Sequence, residues 1–505
     1  MNIMRKIIIC LLFLTALSSC SDWLSVKPKT EIETDVMFET EQGFKDALIG
    51  CYALLSSRDL YGGELTCTFL DVLGQQYLLQ GTTQNRYYYA SRYDYNYSSN
   101  EAIIRKIWEQ MYKTIANVNA VMEALEKNKG KITPMYYHYM KAEVYSLRAF
   151  IYLDLVRLFT WGNLPDHPEK LNKYTLPYPK EYKKDIMPQL QLKEVLSNIH
   201  SDIDSGLQIF QQYDPASVGS DRPEDYVKPS DEDAFMTSTQ RRYRMNIKAA
   251  LATRMRLNMW EGNYKKALED AQLLIDSYNP SWISGLDAGN KNTMDLTFST
   301  EGLFVIETYE RFKNIYQNCF QVINPGSETA NNNALCLSNN QVMELYETTG
   351  CGISDWRYTT CLQGDQSNWQ ILKFWEDEDK MSYKDNMPLI KWPEIYYTAA
   401  ECLLRAGGTE NKQKAISYLN TVRSHRNIHP DWNLSNNLSE EEVKNEIYKE
   451  WRKEMIGDGQ MFYYYKRNGY TTIPDGPSLV YDDKVYVLPI PQDEIDFGGR
   501  TELFL

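Results

Sequence analysis

Basic charge is scarce in this chain of 505 residues: 54 lysines and arginines stand against 68 acids, a formal charge of −14. Such a surface repels phosphate backbones, so nucleic acid is excluded as a partner. Long apolar runs are missing as well. The stretch from Ile7 to Leu14 continues weakly to Leu17 and stops, short of the roughly 20 residues a membrane helix needs. Cysteine spacing carries no zinc knuckle or redox pair. His425 and His429 are four apart, but Asn427 and Pro430 break the helix face that zinc would need. No GxSxG elbow, phosphate loop or dinucleotide fingerprint is present. No metal, cofactor or catalytic residue is therefore expected, and the chain is read as a non-enzyme. Paired carboxylates for glycoside cleavage need only meet in space, so 68 acids neither support nor exclude them.

The short apolar run follows Arg5 and Lys6, the shape of an export signal. Leu17-Ser18-Ser19-Cys20 resembles a lipobox, which predicts cleavage after residue 19 and acylation of Cys20. Removing residues 1–19, with two basic residues and no acid, takes the formal charge to −16. Each buried acyl methylene contributes about 0.8 kcal/mol, so several chains on Cys20 would anchor the protein without a membrane helix. Of the other cysteines, seven lie beyond Cys20, and mostly free thiols are expected.

What is abundant is aromatic surface and helical period, with 38 tyrosines and 11 tryptophans. Around Tyr136 to Pro165 one apolar stripe runs Met140, Val144, Leu147, Ile151, Leu155, Leu158, and a second runs Tyr145, Ala149, Tyr152, Val156, Phe159. A helix apolar on two faces is buried on both. Glu143, Arg148, Asp154 and Arg157 fill the remaining wedge. Further helices follow from Phe44, Leu48, Cys51, Leu55; from Ile104, Trp108, Met111, Ile115, Val118, Met122, Leu125 with Asn100 as cap; and from Leu192, Leu196, Ile199, Ile203, Leu207, Phe210. Asp202, Asp204 and Gly206 hold a fragment of a calcium loop, but inside that last stripe they read as a helix face. Two later segments, 247–280 and 391–427, place small and apolar residues as tetratricopeptide units do. Between them helical period is weak, with a strand expected at Leu303 to Glu307.

The segment AEVYSLRAFIYLDLVRLFTWGNLP, together with LNTVR at Leu419 to Arg423 and PIPQDEID at Pro489 to Asp496, resembles the SusD/RagB family of outer-membrane nutrient-binding lipoproteins. The stretch YGGELTCTFLDVLGQQYLLQG looks like that family's loop between its first two helices. The match loosens where the family has Glu-Arg followed by Glu-Gly. Here stand Glu450-Trp451-Arg452 and Gly457-Asp458-Gly459, and Glu450, Arg452, Glu454 and Arg467 are expected to form structural ion pairs. The resemblance implies an all-α fold, with four tetratricopeptide-like helix pairs in a right-handed scaffold and an irregular, loop-rich ligand-binding subdomain. After a signal of residues 1–19, regions 20–225 and 226–505 would make one compact body. It further implies capture of an oligosaccharide for a SusC-like TonB-dependent transporter at the outer membrane. Peptide capture is the alternative, with a tetratricopeptide adaptor or a glycoside hydrolase behind it.

A sugar site mixes flat aromatic rings, which pack on pyranose C–H faces, with amides, carboxylates and arginine for the hydroxyls. Arg86 to Asn96 offers that mixture in eleven residues. If the backbone were extended, Tyr93, Tyr95 and Tyr97 would point the same way. The candidate ligand-binding residues are Asp71, Arg86, Tyr93, Tyr95, Asn96, Trp282, Trp356 and Arg357. Asp71, Tyr95 and Asn96 are carried over from the resemblance. Alanine at Tyr93, Tyr95 and Asn96 is expected to remove glycan binding and leave the fold.

Overall fold

The computed structural model describes residues 36–79, 82–219, 221–284, 295–308, 311–322, 331–364, 368–376 and 383–503. The expected signal segment and Cys20 lie outside these residues. Helices dominate: α1 (Glu41–Leu55), α2 (Ser98–Lys127), α3 (Pro134–Phe159), α4 (Leu192–Tyr213), α5 (Ile247–Glu261), α6 (Tyr264–Ser277), α7 (Trp392–Ala406), α8 (Thr409–Ser424), α9 (Glu440–Glu454) and α10 (Met461–Arg467). They pack in chain order, as the pairs α1/α2, α3/α4, α5/α6 and α7/α8, and each pair rests on the next through α2/α3, α4/α5 and α6/α7.

The apolar stripes explain the packing. All seven stripe residues of α2 and all six of α4 are buried. Asn100 does not cap α2, as its position suggested. The helix starts two residues earlier, and the Asn100 amide, buried inside it, bonds the Asp94 carbonyl at 2.7 Å. α3 begins on Pro134, whose missing N–H costs nothing at a first position. Its polar wedge is buried too, and each charge there is matched. Glu143 pairs with Arg244 (2.7 Å), Arg148 with Asp202 (2.6 Å), and Asp154 with Arg157. The Asp202–Asp204–Gly206 stretch is helix, as read. At Gly206 a Cβ would stand 2.3 Å from Ser146 Oγ, so the glycine is what lets α3 and α4 approach.

Between α6 and α7 lies the irregular part. Strands β1 (Leu78–Leu79), β2 (Gly302–Glu307), β3 (Leu335–Ser338), β4 (Leu362–Gly364), β5 (Asn368–Ile371) and β6 (Asn386–Lys391) form two antiparallel sheets, ordered β1-β3-β5-β4 and β2-β6. β1 comes from the early chain and pairs Leu78 with Cys336, which ties the N-terminal region to this insert. One hydrophobic core runs through helices and insert alike, from Phe38 to Ile490. The seven cysteines beyond Cys20 are buried free thiols. No helix of the described residues is long and apolar enough to cross a membrane.

Candidate functional site

The tyrosine segment is not extended. Short 3-10 turns at Thr82–Gln84 and Ala90–Arg92 and a left-handed Tyr93 (φ 58°) coil it tightly, which splits its rings into two sets. The inward set is Tyr87, Tyr93 and Tyr95. Tyr93 donates to the Leu73 carbonyl (2.8 Å) and accepts from Gln75 (3.0 Å), while Tyr95 donates to the Val485 carbonyl at 2.5 Å. Burial drives all three phenols above their ordinary pKa. Tyr93 and Tyr95 are thus held mainly by packing, contrary to expectation, although Tyr95 also lines the cleft that Asn96 borders.

The outward set is Tyr88, Tyr89 and Tyr97. Tyr89 and Tyr97 stack at 3.6 Å and 14°, and Tyr88 stands edge-on to Tyr89 at 5.2 Å. Tyr97 is 41% exposed. The Arg92 guanidinium lies 5.3 Å from the Tyr88 ring centre, and Arg92, Asp94 and Asn96 are exposed around the rings. Asn96 also borders a cleft of about 460 Å³ between the start of α2 and Pro489–Asp493, whose charged walls include Glu101, Arg105 and Asp493. Arg86 is half-exposed but held by Glu64 at 2.8 Å, and its backbone N–H bonds Asn333 Oδ1 at 2.9 Å, which fixes the segment to the insert. The arrangement gives a ring surface edged by a cation, a carboxylate and an amide.

The remaining candidates do not join this surface. Asp71 is fully buried on the short helix Phe69–Leu73. It accepts from Tyr77 (2.8 Å) and from the backbone N–H groups of Gly457 (2.5 Å) and Gly459 (3.0 Å), both glycines at positive φ. Burial outweighs these bonds and the nearby Lys373, and pushes its pKa up to about 7. Arg357 is buried as well, between Asp355 (2.7 Å), Glu450 (2.9 Å) and Glu454 (3.4 Å), so it too is structural. Its neighbour Trp356 is half-buried, with its backbone N–H on the Arg426 carbonyl. Trp282 is half-buried against His425 (4.3 Å, stacked) and Tyr396. No cluster of potential metal ligands occurs among the described residues.

Similarity searches place the chain. A family model described as "Starch-binding associating with outer membrane" matches residues 22–218, and a SusD family model matches 225–498. The chain belongs to the SusD family. Two SusD-like proteins of Formosa agariphila are similar over almost the whole chain. P25 is 21% identical, covering 90% of this chain and 88% of its own. P2 is 24% identical, covering 97% of both. Among solved structures, a SusD homolog from Bacteroides thetaiotaomicron superposes with a TM-score of 0.67 at 16% identity, covering 93% of this SusD-family chain and 97% of its own. A SusD-like carbohydrate-binding protein from Bacteroides vulgatus gives 0.65 at 16%, covering 90% and 96%. At these identities the structural likeness speaks for the fold.

Proposed function

We propose that this SusD-family protein is a cell-surface lipoprotein, anchored through Cys20 to the outer membrane. There it captures an oligosaccharide and passes it to a SusC-like TonB-dependent transporter. The observation that carries the reading is the outward ring surface of Tyr88, Tyr89 and Tyr97 with Arg92, Asp94 and Asn96 at its edge. Stacked rings offer a flat apolar face to a pyranose without the entropic cost of ordering it. The polar edge supplies both donors and acceptors for hydroxyls. Membership of the family and the carbohydrate-binding relative support it. The reading is capture without turnover.

Calorimetric titration of the full chain with a panel of oligosaccharides and peptides tests this. A glycan should bind saturably with no new reducing ends. Tyr89→Ala and Tyr97→Ala should each abolish that binding at unchanged melting temperature. Glycan affinity that survives both substitutions would move the site elsewhere, and saturable binding of peptides alone would replace the ligand class.

A further inference from the structure

A second cleft, of about 460 Å³, opens where the 238–248 segment meets the turn into β2 and the first residue of α7. Its walls include Ser238, Thr239, Arg241, Arg242, Lys248 and Thr300, and none of the described residues lining it is acidic. In a chain with 14 excess negative charges, three cations in one recess with no carboxylate among its described lining residues call for an explanation.

Arg241 is accounted for: its guanidinium pairs with buried Asp214 at 2.6 Å and bonds the Met236 carbonyl. Arg242 and Lys248 are not. No described carboxylate lies within ion-pair distance of either. Arg242 spends one Nη on the Tyr243 hydroxyl at 3.2 Å, while its Nε is buried without a partner. The hydroxyl of Thr300 is likewise buried and unpaired. Lys248 is half-buried at the head of α5, and burial, with Arg241 and Arg242 beside it, lowers its pKa despite Asp214. Buried donors left unmade cost free energy, and neighbouring cations repel. An oxyanion in the cleft relieves that repulsion by neutralising Arg242 and Lys248.

We propose that this cleft is an oxyanion-binding site, taking a sulfate, phosphate or carboxylate group between Arg242, Lys248 and Thr300. Ser238 and Thr239 on the same wall suit the hydroxyls of a saccharide bearing that group. The site is separate from the tyrosine surface, and its occupation by a simple anion does not depend on the glycan reading.

The probe is sodium sulfate added to the full chain, with sodium chloride at matched ionic strength as control, read by thermal shift and calorimetry. Sulfate should raise the melting temperature saturably where chloride does not. Lys248→Met and Arg242→Gln should each weaken half-saturation roughly tenfold, the loss of one charge-assisted hydrogen bond. Lys444→Met, on a remote exposed lysine, should change nothing. A sulfate response no larger than that of chloride, or one that both cleft variants retain, overturns the site. If Arg242→Gln does not fold, Lys248→Met decides alone, because that ammonium makes no ion pair to lose. Competition by a sulfated monosaccharide against a uronic acid then identifies the carrier, and sulfate binding with neither competing assigns the site to free inorganic anion.

Discussion

Asp71 shows how a single side chain can mislead a sequence reading. The family resemblance of its loop suggested a ligand contact, yet its three donors include two glycine N–H groups 386 and 388 residues away. Nothing local announces such partners. The same holds for Tyr95, whose hydroxyl reaches Val485, and for Arg357, which beyond its neighbour Asp355 pairs with Glu450 and Glu454 on α9. Three measurable consequences follow at this scale. The Asp71 carboxyl has a folded pKa near 7, above its unfolded value of about 4. The folded state therefore holds the proton more tightly, and the stability this gives is complete below pH 4 and lost as pH rises through 7. Asp71→Asn should flatten the fall in melting temperature between pH 5 and pH 8, relative to the unsubstituted protein. Tyr95→Phe keeps the ring but orphans the Val485 carbonyl, and should cost about 1 kcal/mol in chemical denaturation. Tyr97→Phe, at an exposed ring, should cost nothing measurable.

At the scale of elements, the helices were legible because their stripes are buried where the period puts them. The expected strand at 303–307 is β2 with one residue added. The coil of residues 82–97 was not legible. Alternating tyrosines read as a strand, but hydrogen bonds from Tyr93 and Tyr95 to distant carbonyls overrule the alternation. Ion pairs around α9 were expected and are present. Glu450 meets Arg357, Arg423 and Lys453, Glu454 meets Arg426, Lys391 and Arg357, and Arg467 meets Glu401. Arg452 pairs with Asp475. Against the cost of burial, Arg426 and Lys391 hold the Glu454 carboxyl well below its ordinary range. Its contribution is present above the unfolded pKa and fades only in strong acid. Glu454→Gln leaves Arg426 and Lys391 short of a charge and should cost about 3–5 kcal/mol at pH 7. Gly206→Ala forces a Cβ against Ser146 across the α3/α4 contact, and should cost about 1–3 kcal/mol.

For the whole molecule, the family signature spans both halves, and the structure joins them in one core. The proposed anchor is tested in cells: Cys20→Ala should move the protein from the membrane fraction to the soluble fraction, with its fold intact by circular dichroism. The acidic surface adds a directional preference, since a negatively charged body repels anionic glycans except where cations are gathered. Binding of an acidic saccharide should therefore strengthen as salt is raised from low concentration if the tyrosine surface takes it, and weaken if the cleft at Arg242 and Lys248 does.

The bond from Tyr95 to Val485 ties the 485–486 turn to the segment that carries the exposed rings. A protease nick or a premature stop before Val485 would therefore loosen the proposed ligand surface, encoded almost four hundred codons earlier.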